Sequence, residues 1–134
     1  MPERKTVERA REDAREGKAP STQAGEFVRE EMEHIREGKH GARSTKQAIA
    51  IGLSKARKAG VKLPAPRRGV SRRTRRQAAR DTRAGPRRGR ARPSAKRSRA
   101  TLTALRREGR SAASKGALSR HARTTPRRRR RRAR

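Results

Sequence analysis

The chain has no cysteine, tryptophan, tyrosine or asparagine, and Phe27 is its one residue of the Phe, Tyr and Trp class. Without cysteine there is no disulfide, thiolate metal ligand or thiol nucleophile. With a single aromatic there is no platform on which unpaired bases could stack, which speaks against a sequence-specific single-strand or RNA reader. With no Asn, and Gln only at Gln23, Gln47 and Gln77, no base-reading cluster forms. Long apolar runs are also missing. The uncharged stretch Gln47 to Ser54 falls far short of the roughly 20 residues a membrane span needs. Met1 to Glu16 holds no apolar segment and carries Glu3, Glu8, Glu12, Asp13 and Glu16, so neither a secretory signal nor a mitochondrial presequence is expected there.

Negative charge is scarce as well. Against 12 Asp and Glu stand 43 Lys and Arg, a formal net charge of +31 on 134 residues of which 28% are hydrophobic. Such a balance marks a chain that is largely disordered or dependent on a partner, and that seeks polyanions. The excess is not evenly spread. Residues 1–37 hold 8 basic and 10 acidic side chains, residues 38–63 hold 7 basic and no acidic ones, and residues 64–134 hold 28 basic and only two acidic ones, Asp81 and Glu108. The seam is expected near Leu63-Pro64-Ala65-Pro66, where the prolines cannot continue a helix.

Caps and breaks predict three helices in the first 63 residues. The first covers about Pro2 to Glu16 and stops at Gly17, with Arg9–Asp13 and Glu8–Arg11 spaced for pairing. The second follows Pro20, with Ser21 or Thr22 as N-cap, and ends near Glu37 before Gly38. Its apolar stripe is Ala24, Val28, Met32 and Ile35, beside Phe27. The third opens on a Ser44/Gln47 capping box and stops at Gly60. Ile49, Leu53 and Ala56 line one face, with Ala48, Gly52 and Ala59 small enough to admit a neighbouring helix. A helical hairpin over about 22–60 is the best-defined piece. Its apolar side chains are few, so marginal stability is expected, relieved by self-association or a bound partner.

The connectors echo one another. Arg15-Glu16-Gly17-Lys18 before Ser21-Thr22 resembles Arg36-Glu37-Gly38-Lys39 before Ser44-Thr45. One reading is a pair of helix N-termini, each with a lysine, that offer amides to phosphate. The plainer reading is two ordinary helix connectors. Neither is a nucleotide-binding loop, because Gly38-Lys39 is followed by His40 and the upstream glycine is missing.

The second half is expected to be an arginine-rich arm, giving a mostly α fold with extensive disorder. Residues 64–97 read as a disordered Arg/Pro/Gly-rich linker with arginine pairs at 67–68, 72–73, 75–76 and 87–88. Residues 98–123 read as short marginal helices around Leu102, Leu105 and Leu118, and 124–134 as a poly-Arg tail. Three leucines are too few to hold a preformed helix-turn-helix reader.

Catalysis has little support. His34, His40 and His121 match no metal spacing and are expected at the solvated surface. The carboxylates of the first two helices read as surface charge among arginines. The chain is expected to be non-enzymatic, with no cofactor, metal site or small-molecule substrate. No helix combines a broad apolar face with a basic one, so no membrane role is expected.

Polyanion binding is where the charge points. A duplex carries one phosphate charge per roughly 1.7 Å of axis, and each neutralised phosphate steepens the salt dependence of binding. Of the basic residues 34 are Arg and 9 are Lys. Arginine forks onto phosphate oxygens. Candidate nucleic-acid contacts are Arg67, Arg68, Arg72, Arg73, Arg75, Arg76, Arg87, Arg88, Arg127, Arg128, Arg129, Arg130, Arg131 and Arg132, with Lys46, Lys55 and Lys58 on the third helix.

The run Arg43 to Gly60, RSTKQAIAIGLSKARKAG, together with the upstream STQAGEFVREEMEHIREGKHG, resembles an uncharacterised bacterial family of small basic proteins, a domain of unknown function. The resemblance implies a bacterial source and no assigned functional residues. The arm is similar to protamine and linker-histone tails in composition alone. The resulting expectation is a sequence-nonspecific DNA-binding protein of the bacterial cytoplasm and nucleoid that acts by phosphate neutralisation, with DNA favoured over RNA and self-association through the helices. An RNA- or ribosome-associated basic protein is the alternative. In a further reading the acidic first two helices bind a basic partner, or fold back on the arm and weaken it.

Overall fold

A computed structural model describes residues 2–66, 70–84 and 94–133, with 125–133 described as backbone only. Among these residues the secondary structure is helical with no strand: α1 (Arg4–Arg15), α2 (Pro20–Arg36), α3 (Thr45–Lys58), α4 (Arg72–Ala84), α5 (Ala95–Arg107), a 3-10 turn (Ser111–Ala113) and α6 (Lys115–Ala133).

The first three helices lie close to where caps and breaks predict them. Gly17, Gly38 and Gly60 take φ values of 74°, 79° and 100°, the left-handed stop for which glycine is suited. At the start of α3 the Ser44 hydroxyl accepts from the Gln47 amide at 3.2 Å, and the Gln47 side chain reaches back to the Arg43 amide at 2.6 Å. That is a capping box displaced by one residue at its return bond. Helix α2 differs at its entrance. Pro20 is itself the first helical residue, where its missing N–H is no loss, so Ser21 and Thr22 lie inside the helix and are not its cap.

The chain divides into two compact units, and both draw on each side of the expected Leu63–Pro64 seam. One comprises residues 1–31 and 50–92, the other residues 32–49 and 93–134.

In the first unit Ala10, Ala24, Phe27, Ala56 and Val61 form the core, with Val7, Leu53 and Leu63 packed against it. Phe27 is 1% exposed. The α2–α3 crossing is set by Gly52, where an added Cβ would stand 2.7 Å from the Val28 Cα. The buried row of α3 therefore runs through Ala48, Gly52 and Ala56, with Ile49 and Leu53 half-buried beside it. Side-chain size alone favours the opposite order.

Several acids expected at the surface are buried. Glu30 accepts the Glu3 backbone N–H at 2.5 Å, tying α2 to the start of α1. Glu31 is fully buried and pairs with the Lys55 ammonium. Asp13 accepts from Lys18 at 3.1 Å, and Arg9 turns instead to Glu26 at 3.3 Å.

Residues 72–84, inside the segment expected to be disordered, form α4. The expectation weighed large apolar side chains, of which this helix has none. Its order comes from other sources: Ser71 caps it by accepting from the Thr74 amide at 3.2 Å, and Ala78 and Asp81 are buried.

In the second unit, buried Ile35, Ala42 and Ala48 on the N-terminal side accompany Ala112 and Ala113 from the 3-10 turn. Polar bonds join the two stretches. The Gly41 and Ala42 amides donate to the Leu105 and Gly109 carbonyls at 2.8 and 3.0 Å. Thr45 Oγ1 donates to the Ala112 carbonyl at 2.7 Å, and Arg36 Nε to the Ala113 carbonyl at 3.0 Å. Helix α5 starts at Ala95, capped by Ser94, three residues before the expected Ser98. Helix α6 continues as backbone through the arginine block to Ala133, where a separate tail was expected. Arginine's favourable helix propensity suits that continuation. His40, expected in solvent, is buried, with Nδ1 3.0 Å from the Gly41 carbonyl and its ring edge-on to His34 at 6.0 Å.

Candidate nucleic-acid interface

Helix α4 gathers the densest described set of cations. Its sequence RRTRRQAARDTRA carries Arg72, Arg73, Arg75, Arg76, Arg80 and Arg83, all exposed. At 3.6 residues per turn, Arg72, Arg76, Arg80 and Arg83 fall opposite Ala78 and Asp81, with Arg73 and Arg75 on the flanks. The arginine pairs visible in the sequence supplied four of these positions. Arg80 and Arg83 stand alone in the chain and were missed. Helical spacing from Arg72 and Arg76 is the signal that finds them.

The inward face is polar. Asp81 is 3% exposed and accepts from the Ser54 hydroxyl at 2.7 Å and from Gln77 Nε2 at 3.1 Å. The Lys58 ammonium lies 3.7 Å away. Beside this contact, among the described residues, α3 and α4 border an open cleft of about 580 Å³ lined by Leu53, Arg57, Pro66, Val70, Arg73 and Asp81. Arg57 is itself buried, with Nη2 donating to the Pro64 carbonyl at 3.1 Å.

The three lysines expected at the interface behave differently. Lys46 is exposed near the start of α3. Lys55 is three-quarters covered and committed to Glu31. Lys58 is half-exposed and shares its charge with Asp81. Arg67, Arg68, Arg87 and Arg88 lie outside the described residues. Arg127, Arg128, Arg129, Arg130, Arg131 and Arg132 lie on the α6 backbone, and their side chains are not among those described.

In the two echoed connectors the lysines pair with acids. Lys18 pairs with Glu16 at 3.0 Å and Asp13 at 3.1 Å, and those hydrogen bonds, to Glu16 first, raise its pKa above the ordinary 10.5. Lys39 pairs with Glu37 at 3.3 Å. The Gly41 and Ala42 amides of the second connector are already bonded to carbonyls of the chain. Both lysines are thus held by neighbouring acids.

No helix among the described residues is long and apolar enough to cross a membrane. No curated protein and no solved structure matches the chain. Residues 4–67, from the first turn of α1 to just past the Pro64–Pro66 break, match the model of a family of unknown function, DUF6496.

Proposed function

We propose that this chain is a non-enzymatic, sequence-nonspecific DNA-binding protein that neutralises backbone phosphate in the bacterial cytoplasm and nucleoid, and so coats or compacts DNA. The observation that carries the reading is the outward arginine face of α4. A helix of 13 residues is about 20 Å long, and over that length a duplex presents about 12 phosphate charges. Guanidinium groups spaced along one face engage phosphate oxygens as forks and read no base. Arg67, Arg68, Arg87, Arg88 and the Arg127–Arg132 block extend the same chemistry, and with charge in both units the protein can bridge duplexes. The KQAIAIGLSKARKAG stretch belongs, on this reading, to a bacterial family of small basic proteins whose helical region docks or multiplies the cationic parts. No cofactor, small-molecule substrate or membrane surface enters the reading.

The test is competition at matched salt among duplexes of unrelated sequence and a structured RNA. Equal affinity across the duplexes, with RNA a weaker competitor, is the expected result. Preferential retention on RNA at every salt concentration would replace DNA with RNA as the partner.

A further inference from the structure

The second half of the chain carries 28 basic side chains and two acids, and one of those acids, Asp81, lies on the buried face of the arginine helix. We infer that Asp81 is a positioning residue for nucleic-acid binding: through Ser54 and Lys58 of α3 it holds α4 in place, with Gln77 of its own helix steadying the carboxylate, and so turns the Arg72, Arg76, Arg80 and Arg83 face to solvent. This rests on the reading of that face as the phosphate-binding surface.

The anchor has little apolar help. Ala78 is the one buried hydrophobic residue of α4, and an open cleft of about 580 Å³ lies alongside the polar contact. The carboxylate compensates with a nearly complete set of partners. One oxygen takes the Ser54 hydroxyl at 2.7 Å, and the other takes Gln77 Nε2 at 3.1 Å with the Lys58 ammonium 3.7 Å away. Ser54 and Lys58 sit one turn apart on α3, so the grip fixes both the distance of α4 from α3 and its rotation about its own axis. Rotation matters because the arginine face is defined by helical phase. An α4 free to turn or unfold must be ordered when the duplex binds, and apparent affinity falls with the fraction of molecules already in the competent state.

Positioning and simple charge give opposite signs. Asp81 is a negative charge within a cationic helix, so on electrostatics alone Asp81→Asn should tighten binding to a polyanion. If Asp81 positions the helix, the same substitution weakens binding although net charge rises. Leaving α4 seated in about a tenth of the molecules lowers affinity about tenfold.

The experiment measures affinity of the full chain for a mixed-sequence duplex at fixed salt, with amide hydrogen exchange of α4 read in parallel. Four proteins are compared: wild type, Asp81→Asn, Asp81→Asn with Ala50→Leu, and Arg72, Arg76, Arg80 and Arg83→Gln. Ala50 borders the cleft, so leucine there offers α4 an apolar seat without restoring the carboxylate. Expected are weaker binding and faster α4 exchange in Asp81→Asn, and partial recovery of both on adding Ala50→Leu. Equal or tighter binding by Asp81→Asn overturns the positioning role while leaving the interface standing. Failure of the four-arginine variant to weaken binding overturns the interface itself, and the inference with it.

Discussion

The Gly41 Cα packs against the backbone of Glu108, so that a methyl group at 41 would occupy the space of the Glu108 carbonyl oxygen. On either side of this contact the Gly41 and Ala42 amides bond to the Leu105 and Gly109 carbonyls. Two stretches more than sixty residues apart are thereby laid backbone to backbone.

Gly41→Ala is therefore expected to destabilise the second unit by about 1–3 kcal/mol, the range for forcing extra volume into a close-packed site. Urea unfolding followed by helical circular dichroism measures it. A midpoint within error of wild type would show that the backbones separate at no cost.

Lys55 is expected to matter to the fold more than to the partner. Its ammonium is the charge that pairs with fully buried Glu31. Removing one member of a buried pair costs about 3–5 kcal/mol, less here because Lys55 keeps a quarter of its side chain in water. Lys55→Met should lower stability by about 2–3 kcal/mol and leave the salt dependence of duplex binding close to wild type. A large change in salt dependence with unchanged stability would return Lys55 to the interface.

How far the sequence alone reveals this structure depends on the kind of signal. Gly17, Gly38 and Gly60, and the Ser44/Gln47 box, mark helix ends through local chemistry, and the helices end where those residues say. Order in α4 and around residues 105–113 rests on long-range polar contacts instead, and no hydrophobic period announces them. In hindsight Asp81 and Glu108 are the visible clues. In a stretch of 28 bases they are the two acids, and each sits where its unit joins the two parts of the chain. Asp81 contacts Ser54, and the backbone of Glu108 contacts Gly41. Buried Glu30 and Glu31 escaped for a related reason. Their partners, the Glu3 amide and Lys55, lie 27 and 24 residues away, beyond the reach of i,i+4 spacing.

Alkaline pH should separate Lys18 from the rest of the fold. Hydrogen bonds to Glu16 and Asp13 raise its pKa above 10.5, so its contribution to stability is fully present below that value. It is lost as pH climbs through the raised value and the ammonium deprotonates. The stability difference between wild type and Lys18→Met should accordingly be constant from pH 7 to 9 and shrink above about pH 10.5. Denaturant midpoints across that range check it; a difference that grows with pH would contradict the sign.

The most direct measurement is the slope of log binding constant against log salt concentration for a mixed-sequence duplex, with wild type set beside the variant carrying Arg72, Arg76, Arg80 and Arg83→Gln. Each phosphate left without its guanidinium takes about 0.9 from the slope, so the variant should be shallower by about 3.6 and weaker at every salt concentration. Identical slopes for the two proteins would contradict phosphate neutralisation by the α4 face.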